Sequence, residues 1–189
     1  YSYRAEAKDI DPTNDKLSYT LLLGPKDKGM KVDVSTGLVS WTPTNDHVGS
    51  YKIEIQVGDG QGASVIQTFM LQVNNVNDNP IITSKAPTGA TQGKAYQYTV
   101  KATDPDPTKD TLAYKLTQTP PLGSSQKMQI NPSSGDITWT PDQSHVGNNH
   151  LVTVEVSDGK GGKATQSWLI NVFNQNDSPT FTDKPAKLS

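Results

Sequence analysis

Apolar and polar side chains alternate with period two along much of the chain. Tyr51-Lys-Ile-Glu-Ile-Gln-Val57 and Leu151-Val-Thr-Val-Glu-Val156 each hold the alternation over a whole run. Phe69-Met-Leu-Gln-Val73 and Trp168-Leu-Ile-Asn-Val172 resume it beyond the Gly-rich turns Asp59-Gly-Gln-Gly62 and Asp158-Gly-Lys-Gly-Gly162. Period two sends successive side chains to opposite faces of a strand, so each pair of runs predicts a hairpin with one buried face. Leu17-Ser-Tyr-Thr-Leu21 and Leu112-Ala-Tyr-Lys-Leu116 obey the same rule. No stretch carries the pattern of a sustained amphipathic helix, and the fold class expected is all-β.

The strand runs occur twice. Tyr1-Ser-Tyr-Arg-Ala-Glu-Ala-Lys-Asp9 aligns with Tyr96-Gln-Tyr-Thr-Val-Lys-Ala-Thr-Asp104, and Thr36-Gly-Leu-Val-Ser-Trp41-Thr-Pro43 with Ser134-Gly-Asp-Ile-Thr-Trp139-Thr-Pro141. His47-Val-Gly49 then matches His145-Val-Gly147, and Asn77-Asp78-Asn-Pro80 matches Asn176-Asp177-Ser-Pro179. The offset drifts only from 95 to 99 residues, so loop insertions separate two copies of one domain, each large enough for its own core. About seven short strands per copy, with turns between them, predict two tandem Greek-key β-sandwiches in which Trp41 and Trp139 plug the space between the sheets. The expected boundaries are residues 1–80, 81–179 and the start of a third copy at 180–189. The second copy opens with Ile81-Ile-Thr-Ser-Lys-Ala-Pro87, which Thr180-Phe-Thr-Asp-Lys-Pro185 resembles, whereas the first copy starts at Tyr1 without its first strand. The pattern is that of a chain cut out of frame from a longer array, and it leaves an open sheet edge on the first copy that another molecule could fill by strand addition.

Composition narrows the chemistry. Of 189 residues, 17 are Lys or Arg and 19 are Asp or Glu, which provides no basic face for a nucleic-acid backbone. Mean hydropathy is −0.61, and no apolar run approaches a membrane span, so direct membrane insertion is not expected. Cysteine is absent, which removes disulfides, thiolate nucleophiles and Cys-ligated zinc. Among the acidic residues, 16 are Asp and only 3 are Glu. Asp favours turns and short oxygen-ligand loops over helix interiors.

Three acidic groups recur in each copy. Asp9/Asp11 and Asp104/Asp106 follow a strand with Asp-x-Asp spacing. Asp59 and Asp158 sit in the late turn, and Asn77/Asp78 and Asn176/Asp177 stand in the Asn-Asp-x-Pro segment. A calcium ion takes roughly six to eight oxygens, and the i, i+2 spacing lets two carboxylates of an irregular loop reach one ion. Magnesium fits so crowded an oxygen set less well. The alternative is that the same carboxylates cap turns and bind nothing.

Ala102-Thr-Asp104-Pro-Asp106, Val154-Glu-Val-Ser-Asp158-Gly and Val73-Asn-Asn-Val-Asn77-Asp78-Asn79-Pro80 resemble cadherin repeats, and most of all the dystroglycan-type, Ig-like repeats of large bacterial surface proteins. The resemblance covers both copies nearly end to end. It implies calcium at the domain junction, held by Asn77, Asp78 and Asn79 with Asp104, Asp106 and Asp158. It also implies a partial site at Asp9, Asp11 and Asp59, and a truncated one at Asn176 and Asp177. Trp41-Thr-Pro-Thr-Asn-Asp46 stands where cell-adhesion cadherins carry an acidic motif, and the first loop of copy one is missing, so fewer ions and weaker binding are expected.

The function expected is therefore a calcium-stiffened structural or adhesive stalk of an extracellular, cell-surface or secreted protein, with neighbouring repeats of the same array as partners. Carbohydrate binding is the alternative, with Tyr1, Tyr3, Tyr96 and Tyr98 available to stack on sugar rings. An exposed row of aromatics would favour it, and inward-turned aromatics would favour the stalk. Catalysis is not expected. His47 and His145 occupy equivalent turns and His150 stands alone, which reads as repeated architecture.

Overall fold

A computed structural model describes residues 1–10, 15–108, 110–123, 127–176 and 178–180. The chain divides into two compact units, residues 1–76 with 106–108, and residues 77–105 with 109–189. The first contains β1 (Ser2–Arg4), β2 (Ser18–Leu23), β3 (Lys31–Val32), β4 (Leu38–Ser40), β5 (Gly49–Gly58) and β6 (Ser64–Val73). They form two sheets, ordered β1-β4-β3 and β2-β5-β6. The second unit contains β7 (Ile81–Ile82), β8 (Gly89–Thr91), β9 (Tyr96–Thr99), β10 (Ala102–Thr103), β11 (Ala113–Gln118), β12 (Gln129–Ile130), β13 (Asp136–Trp139), β14 (Asn149–Ser157) and β15 (Lys163–Phe173). Here the sheets are β12-β13-β9 and β11-β14-β15-β8, with β7 pairing β10. In each unit the chain crosses between sheets rather than running neighbour to neighbour, which is a Greek-key β-sandwich.

The alternation read from sequence is the burial pattern. On β5, Ile53, Ile55 and Val57 face inward while Lys52 is exposed; on β14, Val152, Val154 and Val156 do the same. Each such side chain contributes about 1.5–3 kcal/mol by leaving water. The β5/β6 and β14/β15 hairpins are in continuous register, from Gly49↔Val73 to Gly58↔Ser64 and from Asn149↔Asn171 to Ser157↔Lys163.

One tryptophan fills the gap between sheets in each unit. Trp41 and Trp139 are both buried, and Trp41 Nε1 donates to Lys28 O at 2.9 Å. A second aromatic layer lies beside it in unit two: Trp168 Nε1 donates to Tyr96 Oη at 3.1 Å, and Tyr96 Oη donates to Pro87 O at 2.8 Å. Burial pushes the Tyr96 hydroxyl up to about 12, which keeps it protonated as a donor.

The turn that joins β3 to β4, and its counterpart between β12 and β13, is built on one side-chain oxygen. Asp33 Oδ1 accepts from Ser35 N, Thr36 N and Thr36 Oγ1 at 2.8–3.0 Å. Those donors, led by the Thr36 hydroxyl, hold the Asp33 carboxyl below its ordinary range. In the second unit Asn131 makes the same turn, with Oδ1 accepting from Ser133 N at 2.9 Å and Ser134 N at 3.1 Å.

A folded-state pKa below the unfolded value adds stability that is present above the unfolded value and is lost as pH falls through the folded one. Asp33→Asn is expected to keep the turn, as Asn131 does, and to leave the neutral-pH Tm nearly unchanged. It should flatten the loss of stability of the first unit below about pH 4. Calorimetric melts from neutral to strongly acidic pH read both quantities, and an unchanged acid limb would contradict this account.

Candidate metal centre

After β10 the chain cannot continue as a strand. Pro105 and Pro107 lack the donors a ladder needs, so the strand ends at Thr103 and the residues beyond it carry Asp104, Asp106 and Asp110. The three carboxylates each place one oxygen within 4.8 Å of the others. Asp106 is buried and the other two are half-buried; Asp104 Oδ2, Asp106 Oδ1 and Asp110 Oδ2 are closed off from solvent. Lys160 Nζ lies 2.6 Å from Asp110 Oδ1, which sets one positive charge against three negative ones.

The late turn uses the two oxygens of Asp158 for different tasks. Oδ1 accepts from Lys160 N at 2.7 Å and Gly162 N at 3.0 Å, which shapes the turn between β14 and β15. Oδ2 accepts from Asn77 Nδ2 at 2.8 Å. The Asn77 amide, helped by the backbone donors, holds the Asp158 carboxyl below its ordinary range against the opposing effect of burial. Asn77 also donates to Asp78 O at 3.2 Å, and Asn79 Oδ1 accepts from Lys163 N at 3.1 Å. The segment 77–79 is thereby laid along the turn 158–163.

Close approach requires glycine at position 162. A Cβ there would stand 2.1 Å from Asp158 Oδ2, 2.8 Å from Asp78 O and 3.0 Å from Asn77 Nδ2. In the first unit the equivalent residue is Ala63, at the end of a turn otherwise built alike: Asp59 Oδ1 accepts from Gln61 N, Gly62 N and Ala63 N at 2.8–3.1 Å.

The residues expected from sequence fall into separate groups. Asp104 and Asp106 converge with Asp110, a residue the sequence reading did not single out. Its signal was present, since Asp104-x-Asp106-x-x-x-Asp110 repeats Asp9-x-Asp11-x-x-x-Asp15. Asp158, Asn77, Asp78 and Asn79 form a second group, joined to the first by Lys160, two residues beyond Asp158. Asp9 and Asp59 line one open cleft of about 270 Å³ in the first unit. Asn176 is exposed, and Asp11 and Asp177 lie outside the described residues. A donor set of carboxylates and amides without His or Cys suits a hard cation such as calcium.

The histidines serve the turns. His47 Nδ1 accepts from Thr44 N at 2.9 Å and His145 Nδ1 from Asp142 N at 3.2 Å, each closing a 3-10 turn, while His150 Nε2 meets His145 O at 2.9 Å. Tyr96, Tyr98, Trp41, Trp139 and Trp168 are buried and Tyr3 is half-buried, so most of the aromatic surface points inward.

Two sandwiches in series, with acidic loops repeated in each, define a tandem Ig-like and cadherin-like repeat protein, a class that is typically non-catalytic. Residues 77–171 match the family described as "Bacterial Ig domain", and residues 1–74 match a second one, described as "Putative Ig domain". The chain belongs to the bacterial Ig domain family. Among solved structures it is similar to human CDH23 EC21-23, at 21% identity and TM-score 0.57, over 86% of this chain and 59% of that one. It is also similar to the Protocadherin Gamma B2 extracellular cadherin domains 3-6, at 18% identity and TM-score 0.53, over 92% of this chain and 47% of that one. Human Protocadherin-24 EC1-2 matches at 18% identity and TM-score 0.53, over 88% and 85%. The chain thus spans about half the length of the first two, and at these identities the likeness is one of fold.

Gly162→Ala tests the linker docking. The turn should persist, because Ala63 occupies it in the first unit, while the backbone of Asp78 is pushed off. The side-chain amide of Asn77 should then lose its hydrogen-bonded NMR signature and the pKa of Asp158 should rise. Unaltered Asn77 resonances would show that the docking does not depend on Gly162.

Proposed function

We infer that this chain is a structural and adhesive stalk module of an extracellular, cell-surface or secreted bacterial protein, with calcium stiffening the junction between its repeats. The observation that carries the reading is the convergence of Asp104, Asp106 and Asp110 on one loop, each with a solvent-shielded carboxylate oxygen. Like charges held this close repel, and a divalent cation when bound would neutralise them and supply a common ligand. Asp104, Asp106 and Asp110 would hold it, with Asp158, Asn77, Asp78 and Asn79 beside them as the linker-side oxygens. The Asn77 amide holds the Asp158 carboxyl below its ordinary range, so Asp158 is a carboxylate at neutral pH with its Oδ2 facing the linker. Asp9 and Asp59 offer a second, smaller set in their shared cleft.

The family match supports the bacterial surface setting, and the fold likeness supports a spacer role. Among the described residues no helix is long and apolar enough to cross a membrane. The inward-turned aromatics support the stalk over carbohydrate binding, because Tyr96 and Tyr98 are committed to the core.

Melts and small-angle scattering in millimolar calcium and in EGTA test the reading, with Asp104→Ala/Asp106→Ala as the control. Calcium should raise the Tm of the second unit by about 5 °C or more, as expected for a ligand well above its Kd on a domain of this size, and should lengthen the particle. Both effects should vanish in the double variant. Superimposable curves in the two buffers would reduce the module to a metal-independent spacer.

A further inference from the structure

The structure seats a cation on the acidic cluster, and that cation belongs to the chain itself. Lys160 Nζ lies 2.6 Å from Asp110 Oδ1, the distance of a charge-assisted hydrogen bond. The two partners differ in exposure: the Asp110 side chain is 5% exposed and that of Lys160 is 50% exposed. The carboxylate is thus held inside the cluster, while the long stem that carries the ammonium runs along the surface and can swing away.

The place of Lys160 is set by its own turn. Lys160 N donates to Asp158 Oδ1 at 2.7 Å, as Gln61 N donates to Asp59 Oδ1 at 2.8 Å in the first unit. The two turns hold their backbones alike and differ in what the side chain carries, an amide at 61 and an ammonium at 160. Lys163, three residues on, pairs with Glu155 Oε1 at 3.0 Å instead. Asp104, Asp110, Asp158 and Lys160 all belong to the second unit.

A divalent cation and this ammonium compete for one carboxylate. Calcium takes its oxygens at about 2.3–2.6 Å, so an ion on the oxygen that meets Lys160 Nζ would stand no more than about 5 Å from the ammonium. Like charges at that separation repel, the more so where water is partly excluded. An entering ion therefore turns the ammonium out, and the half-exposed stem lets it reach solvent.

We propose that Lys160 is a tethered counter-ion, which stands on Asp110 when no divalent cation is bound and is displaced when one enters. The exchange, which rests on the metal-centre reading above, has two consequences. In a calcium-poor medium the ammonium relieves part of the repulsion among Asp104, Asp106 and Asp110, so the second unit keeps its shape there. In rising calcium the ion pair has to be broken first, so Lys160 sets the concentration at which the centre fills.

Calorimetric calcium titrations of the full chain, with melts in EGTA, test the exchange. Lys160→Gln copies Gln61 and keeps the turn, Lys160→Arg keeps the charge, and Lys115→Gln removes the same charge from the exposed face of β11. Lys160→Gln should bind calcium about fivefold more tightly, the scale of one partly exposed ion pair, and its second unit should melt earlier than the wild type in EGTA. Lys160→Arg should restore both values, and Lys115→Gln should leave the Kd nearly unchanged, because its charge is distant and screened. In the wild type, the Lys160 ammonium should lose its hydrogen-bonded NMR signature as calcium is added, a readout that needs no variant. Equal affinity in the wild type and Lys160→Gln, an unchanged melt in EGTA, or an ammonium signal indifferent to bound calcium overturns the exchange and leaves the metal centre standing. Calcium that binds neither protein overturns both.

Discussion

Everything in each unit depends on closing the gap between two sheets of alternating side chains. A strand that turns every second residue inward is stable only if something on the facing sheet meets those residues, and two short sheets leave a space at their end that aliphatic side chains do not span. Trp41 and Trp139 close that space, with Tyr51 and His145 packed perpendicular to them at centroid distances of 5.2 and 5.0 Å. Because the plug stands at the end of β4 or β13, the following 3-10 turn must bend over it, and the histidine of that turn is held against the tryptophan while its Nδ1 caps the backbone. The repeated His-Val-Gly motif is thus a consequence of packing, with no catalytic partner required.

The same economy governs the acidic residues. Side-chain oxygens cap backbone donors wherever the chain reverses, so turn capping and cation binding compete for the same atoms. Asp158 resolves the competition by division, with Oδ1 committed to its own turn and Oδ2 directed at Asn77. Asp59 commits Oδ1 in the same way. The two readings of these carboxylates therefore concern different oxygens of one group. Asp104, Asp106 and Asp110 add a further arrangement, in which three carboxylates gather within reach of one another.

The strand runs, the hairpins and the buried tryptophans were legible in the sequence because period-two alternation and turn chemistry are local. The repeat made the reading firmer, since each copy confirmed the other. Asp110 was legible in principle, through the spacing it shares with Asp15, yet nothing local distinguishes a carboxylate that turns into a cluster from one that faces water. Gly162 could not be singled out at all: it ends a run of glycines, and only the Asp158 carboxylate turned toward Asn77, with the backbone of Asp78 beside it, leaves no room there for a Cβ.

By itself the sequence determined the all-β class, the doubling of the domain and the faces of its strands, because side-chain direction on a strand follows from counting. Tertiary structure decided which carboxylates meet and which edge of which sheet is covered. Those outcomes depend on loops closing over long sequence separations, such as Asn77 on Asp158 or Thr88 on Asn171, and no local pattern encodes the contact between them.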